Sequence, residues 1–121
     1  MANPFADQRR FMDACDQTTD GKFNEEQYVL YRNLISEEVG ELQDAIDTND
    51  RVEQLDALID ILVVTIGAIH SMGADAEGAW NEVLQSNLAK IDTKTGKVIK
   101  REDGKVLKPR GWKPPELSPF V

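Results

Sequence analysis

LISEEVGELQDAI, running from Leu34 to Ile46, sets the fold, because it is a helix whose apolar stripe contains carboxylates. At about 100° per residue, Tyr31, Leu34, Ile35, Leu42, Ala45 and Ile46 share one face. Glu38 falls inside that face, Glu41 on its edge and Glu37 one step further out. Burying an unpaired carboxylate costs several kcal/mol, so an inward glutamate requires a partner, a proton or a metal ion.

The next helical stretch answers in kind. RVEQLDALIDILVVTIGAIHS begins after Asp50, which forms a capping box with Glu53, and ends near Gly73. Its apolar residues go almost all the way round, which predicts a central, enclosed helix. Asp56 and Asp60 stand one turn apart on one face, and Gly67 leaves room beside them. Neither aspartate has a Lys or Arg at helical spacing. Glu53 points a similar way, but the capping box already gives it a local task. The short link from Asp47 to Asp50 predicts antiparallel packing, which sets Glu37, Glu38 and Glu41 against Asp56 and Asp60. Carboxylates that close raise one another's pKa values unless a divalent cation sits among them. An all-oxygen ligand set suits a hard ion, Mg²⁺ or Mn²⁺.

Working outward, an Asn24–Gln27 capping box starts the glutamate helix. A first helix over Pro4–Asp16, with Asn3 as N-cap, puts Phe5, Phe11, Met12 and Cys15 on one side. A fourth helix over Asp75–Ile91 points Trp80, Val83, Leu84 and Ile91 inward, with Asn87 in that stripe and Lys90 on its edge. Beyond Asp92, the turn pairs Thr95-Gly96 and Asp103-Gly104 surround two strand-like pieces, Lys97–Lys100 and Lys105–Leu107, ahead of a Pro-rich tail. The expected architecture is a single all-α domain over residues 1–121. It is an antiparallel bundle of about four helices with a small C-terminal hairpin and an extended tail.

The 121 residues, 40% of them hydrophobic, suit one folded domain. Charge is divided unevenly: residues 1–89 carry 5 Lys+Arg against 18 Asp+Glu, and residues 90–121 carry 9 against 4. An acidic body repels phosphate, so duplex nucleic acid is not an expected partner. No apolar leader is apparent, and the longest apolar run, Ile61–Ile69, is nine residues, under half of a bilayer span. No membrane association is expected, and the single cysteine, Cys15, suits a reducing, cytoplasmic setting. His70, near the end of the third helix, is expected to cap or to face solvent.

EEVGE (Glu37–Glu41), the acidic helix DALIDILVVTIGA, SNLAK (Ser86–Lys90) and GKVLKPRGWKPPEL occur in an order that resembles the MazG superfamily of all-α nucleoside triphosphate pyrophosphatases. Its phosphoribosyl-ATP pyrophosphohydrolase-like branch is the most similar, and the resemblance covers roughly residues 32–117. It implies a homodimer or homotetramer and Mg²⁺-dependent cleavage of an α,β-phosphoanhydride to monophosphate and pyrophosphate. Carried over by position, Glu38, Glu41 and Asp60 look like metal ligands, with Glu37 and Asp56 as further ligands or the water-orienting base. The superfamily's ExxD motif is not matched at Ala57, so either Asp56 substitutes or Glu53 and Asp56 form the pair.

Such a site needs cations and an aromatic face for its nucleotide. Asn87 and Lys90 in SNLAK are candidates, as are Lys105, Lys108, Arg110 and Trp112 of the tail, where Trp112 has a face on which a base can stack. The tail either folds over the site or clasps a neighbouring subunit. Three functions remain in view: a (d)NTP pyrophosphohydrolase, a phosphoribosyl-ATP pyrophosphatase, and a non-catalytic, metal-binding helical dimerisation module.

Overall fold

Three helices begin where short polar side chains cap them. Asn3 Oδ1 accepts from the Ala6 N–H, Asn24 Oδ1 from the Gln27 N–H and Asp50 Oδ1 from the Glu53 N–H, each at 3.1 Å. Each bond satisfies a donor that the first helical turn leaves free. A computed structural model describes residues 2–121. It contains α1 (Pro4–Ala14), α2 (Glu25–Asp47), α3 (Arg51–Ser71) and α4 (Ala76–Leu88), then β1 (Ile91–Asp92), β2 (Lys97–Val98) and a closing 3₁₀ turn (Ser118–Phe120). The architecture is an all-α bundle with a C-terminal hairpin. The chain forms two compact units, residues 2–76 with Val121, and residues 77–120.

In the first unit, α2 and α3 pack along their lengths. Gln27 bonds Ser71 (2.9 Å), Tyr31 lies on Gly67, Glu38 meets Asp60 and Gln54 bonds Ala45. As residue numbers rise on one helix they fall on the other, so the pair is antiparallel. Asn49, at φ 54°, makes the reversal between them, and the Asp50 N–H closes it by donating to the Ala45 carbonyl at 2.9 Å. Met12 from α1, Tyr31 from α2, and Val64 and Ala68 from α3 form the core, with Tyr28, Leu34 and Ile35 packed against it.

Several expectations need correction. Apart from Ala57, helix α3 is enclosed only in its C-terminal half: Val64, Ile66, Ala68 and His70 are buried, whereas Val52 (77% exposed), Leu55, Leu58, Ile59 and Leu62 are exposed. The helical period shows that α3 is apolar all round, but α2 covers one side and the short α1 cannot cover the rest. His70 is not a surface cap: it is 4% exposed, and its Nε2–H donates to the Phe5 carbonyl at 2.9 Å, tying α1 to α3. Gly67 makes room for Tyr31 rather than for carboxylates, since a Cβ there would lie 2.3 Å from Tyr31 Cε1.

In the second unit, α4 ends at Leu88, three residues before the expected end, because Ile91 enters a strand. Trp80, expected to point inward, is 63% exposed. The hairpin is also shifted. Ile91 pairs with Val98 and Asp92 with Lys97 around Gly96, while the expected pairing of Lys97–Lys100 with Lys105–Leu107 shrinks to one bridge, Lys100 to Val106. The Asp92 side chain explains the shift: its Oδ1 accepts from the Lys94 N–H (2.8 Å) and its carbonyl from the Gly96 N–H (2.8 Å), which closes the earlier turn.

Candidate functional site

Helical spacing on two antiparallel helices brings three carboxylates together. Glu38 and Glu41 are one turn apart on α2, Asp60 faces them from α3, and one oxygen from each lies within 4.8 Å of the others. Glu38 and Asp60 are half-buried and Glu41 is exposed, so the cluster has a protected floor and an open mouth. Glu38 Oε2 is buried with no hydrogen-bond partner. The Glu38 carboxyl is pushed up to about 7, first by hydrogen bonding with Glu41, then by desolvation and by the negative charges of Glu41, Asp60 and Asp56.

A buried acceptor without a donor, among carboxylates that repel one another, is what a cation site presents before it binds an ion. The three oxygen donors fit a hard divalent ion, and the open side leaves positions for water or phosphate oxygens. Asp56 is exposed but close enough to act electrostatically on Glu38. With Glu41 and Glu53 it lines a groove of about 350 Å³ that also holds Asp44 and Thr48. Asp56 and Glu53 therefore face the same groove, and neither joins the close trio. Glu37 is exposed and also lies outside it. Asp44 on the groove wall was not singled out by sequence, because it lies off the apolar stripe.

The other expected contacts gather in the second unit. Lys90 Nζ donates to Asn87 Oδ1 at 3.1 Å and sits 5.1 Å from the centroid of the Trp112 ring, with Lys108 Nζ 4.9 Å from the same centroid. The Trp112 indole N–H donates to the Ser86 carbonyl at 2.7 Å. A cavity of about 730 Å³ is lined by Lys90, Lys108, Arg110, Trp112 and Lys113. Lys105 is not on that lining; its backbone N–H donates to Asp103 Oδ1 at 3.0 Å in the neighbouring turn. Lys113, inside GWKPP, is a cation that sequence reading passed over, although it directly follows Trp112.

A helical pair that turns three carboxylates on one another presents a group that could hold a divalent ion. The sequence matches the phosphoribosyl-ATP pyrophosphohydrolase family over residues 7–87, about two thirds of the chain. The chain belongs to that family, within the MazG-like all-α NTP pyrophosphatase superfamily. Its activity is nucleotide pyrophosphohydrolysis, in a family that generally depends on a divalent metal. No curated protein matches the sequence. No single helix among the described residues is long and apolar enough to cross a membrane.

Proposed function

We propose that the protein is a Mg²⁺-dependent pyrophosphohydrolase of (d)NTPs or related nucleotides, cleaving the α,β-phosphoanhydride to a monophosphate and pyrophosphate. The observation that carries this reading is the Glu38–Glu41–Asp60 cluster with its unpartnered buried oxygen. When bound, the ion supplies neutralisation of phosphate oxygens and Lewis-acid polarisation; Mn²⁺ can substitute for Mg²⁺. Glu38, Glu41 and Asp60 would hold it, with Asp56 adding negative charge from the groove beside them. Glu37, exposed on the same helix, orients the attacking water and takes its proton; Glu38 is the second carboxylate with a catalytic task. The substrate is assigned to Asn87, Lys90, Lys105, Lys108, Arg110 and Trp112: the four cations take its anionic phosphates, Asn87 its base or sugar, and Trp112 supplies the aromatic face beside them.

The exposed apolar residues of α3, Val52, Leu55, Leu58, Ile59 and Leu62, favour a homodimer or homotetramer, because such a row costs free energy while it faces water. The single exposed cysteine suits a cytoplasmic enzyme. Incubation with each NTP, each dNTP and phosphoribosyl-ATP in Mg²⁺, followed by separation of products, tests the reading. Monophosphate plus pyrophosphate from a (d)NTP supports it; turnover of phosphoribosyl-ATP alone moves the assignment to that substrate. Release of orthophosphate identifies the wrong bond, and no product from any nucleotide leaves a metal-binding dimerisation module.

A further inference from the structure

Trp112 is the fixed point of the second unit. Its indole N–H is held by the Ser86 carbonyl, and its backbone N–H donates to the Pro109 carbonyl at 3.0 Å. Against this ring stand two ammonium groups, Lys90 and Lys108, each about 5 Å from the same centroid, so no more than about 10 Å separates them. Lys90 is fixed a second time by its bond to Asn87. The negative face of an indole attracts a cation, but two cations so close still repel each other. An anion that reaches both relieves that repulsion.

The cavity beside them is sized for a small molecule: about 730 Å³, within the usual range for ligand sites. Arg110 and Lys113 add two further cations to its lining. Asp92 is the acid on that lining, and its Oδ1 already accepts from the Lys94 N–H. A flat base stacking on Trp112 has to displace a lysine from the ring, whereas a phosphate chain can use both lysines where they stand.

We propose that this cavity is a diphosphate site, in which Trp112 is a positioning residue that holds Lys90 and Lys108 at a spacing a diphosphate can bridge. The proposal deepens the pyrophosphohydrolase reading and rests on it for the source of the ligand. That source is either the terminal phosphates of the nucleotide or the pyrophosphate released from it, and both present the same chemistry.

The test uses the full chain in EDTA with Trp80→Phe, so that Trp112 is the one tryptophan. Inorganic pyrophosphate is titrated while indole emission and heat are followed. A saturable change is expected. Lys90→Ala and Lys108→Ala should each weaken binding about tenfold or more, the usual scale for losing a charge-assisted contact. Trp112→Phe, which keeps an aromatic face, should retain more affinity by calorimetry than Trp112→Leu, with circular dichroism confirming that both fold. Competition by a non-hydrolysable nucleoside triphosphate assigns the site to the substrate; absence of competition assigns it to the product. No saturable binding overturns the proposal, as does unchanged affinity in both lysine variants or equal affinity for orthophosphate. Glu38→Gln should keep pyrophosphate binding, so loss of turnover and loss of this site are read separately.

Discussion

Glu38 and Asp103 are both carboxyl groups, and the two regions that hold them push them in opposite directions. On the acidic face of α2 and α3, Glu38 is pushed up to about 7 by Glu41, by desolvation and by further negative charge. In the basic tail, Asp103 is held below its ordinary value by the Arg101 guanidinium and by the Lys105 backbone N–H. The difference separates two ways of handling charge. In the tail Arg101 and Asp103 answer each other's charge at the surface, whereas the helical pair concentrates one sign and leaves a buried oxygen unmatched. Only the second arrangement calls for a cation from outside.

The largest expected effect breaks the comparison at Glu38. Glu38→Gln should lower Mg²⁺-dependent monophosphate formation at least about a hundredfold, the scale of removing a positioned catalytic group. Asp103→Asn should leave the rate unchanged in the same product assay. Packing gives the next contrast. Gly67→Ala drives a methyl into the Tyr31 ring and should cost about 1–3 kcal/mol in urea denaturation. Gly104→Ala meets open space but strains a backbone at φ 89°, and should cost nearer about 1 kcal/mol.

The smallest effects are in pH dependence, and they carry opposite signs. Glu38 has a folded value raised from 4.5 to about 7. Its contribution to metal-free stability is therefore full below pH 4.5 and lost as pH rises through about 7. Asp103 has a folded value below 3.8, so its contribution is present above pH 3.8 and lost as pH falls through that lowered value. Denaturation in EDTA across pH should show Glu38→Gln flattening the slope between about pH 4.5 and 7. Asp103→Asn should alter only the acid limb, weakly, because that ion pair is exposed to solvent.

Much of the acidic region was legible in sequence because helices are local. The capping residues Asn3, Asn24 and Asp50, the face shared by Glu38 and Glu41, and the approach of Asp60 all follow from a period of 3.6 residues and a short turn. What packs on a face does not follow from that period. It could not show that Val52, Leu55, Leu58, Ile59 and Leu62 of α3 stay uncovered in one chain, that Trp80 lies at the surface, or that His70 turns inward to the Phe5 carbonyl. Gly67 looked like space beside the aspartates, yet the ring that needs it, Tyr31, is 36 positions away. The tail was less legible still. Its register depends on side-chain bonds within turns, such as those of Asp92, and two turn signals in series allowed more than one pairing. Asn87 and Lys90 were chosen from SNLAK and its helical stripe, and Lys108 and Arg110 by residue type, but the gathering of Lys90, Lys108 and Arg110 beside Trp112 required the fold.

The central claim is that Glu38, Glu41 and Asp60 together hold a divalent ion. Free Mn²⁺ measured by electron paramagnetic resonance during titration of the protein tests it without any nucleotide. Saturable Mn²⁺ uptake by the wild type, weakened about tenfold or more in Glu38→Gln at unchanged helix content, is the predicted result. Equal Mn²⁺ affinity in the two proteins would contradict it.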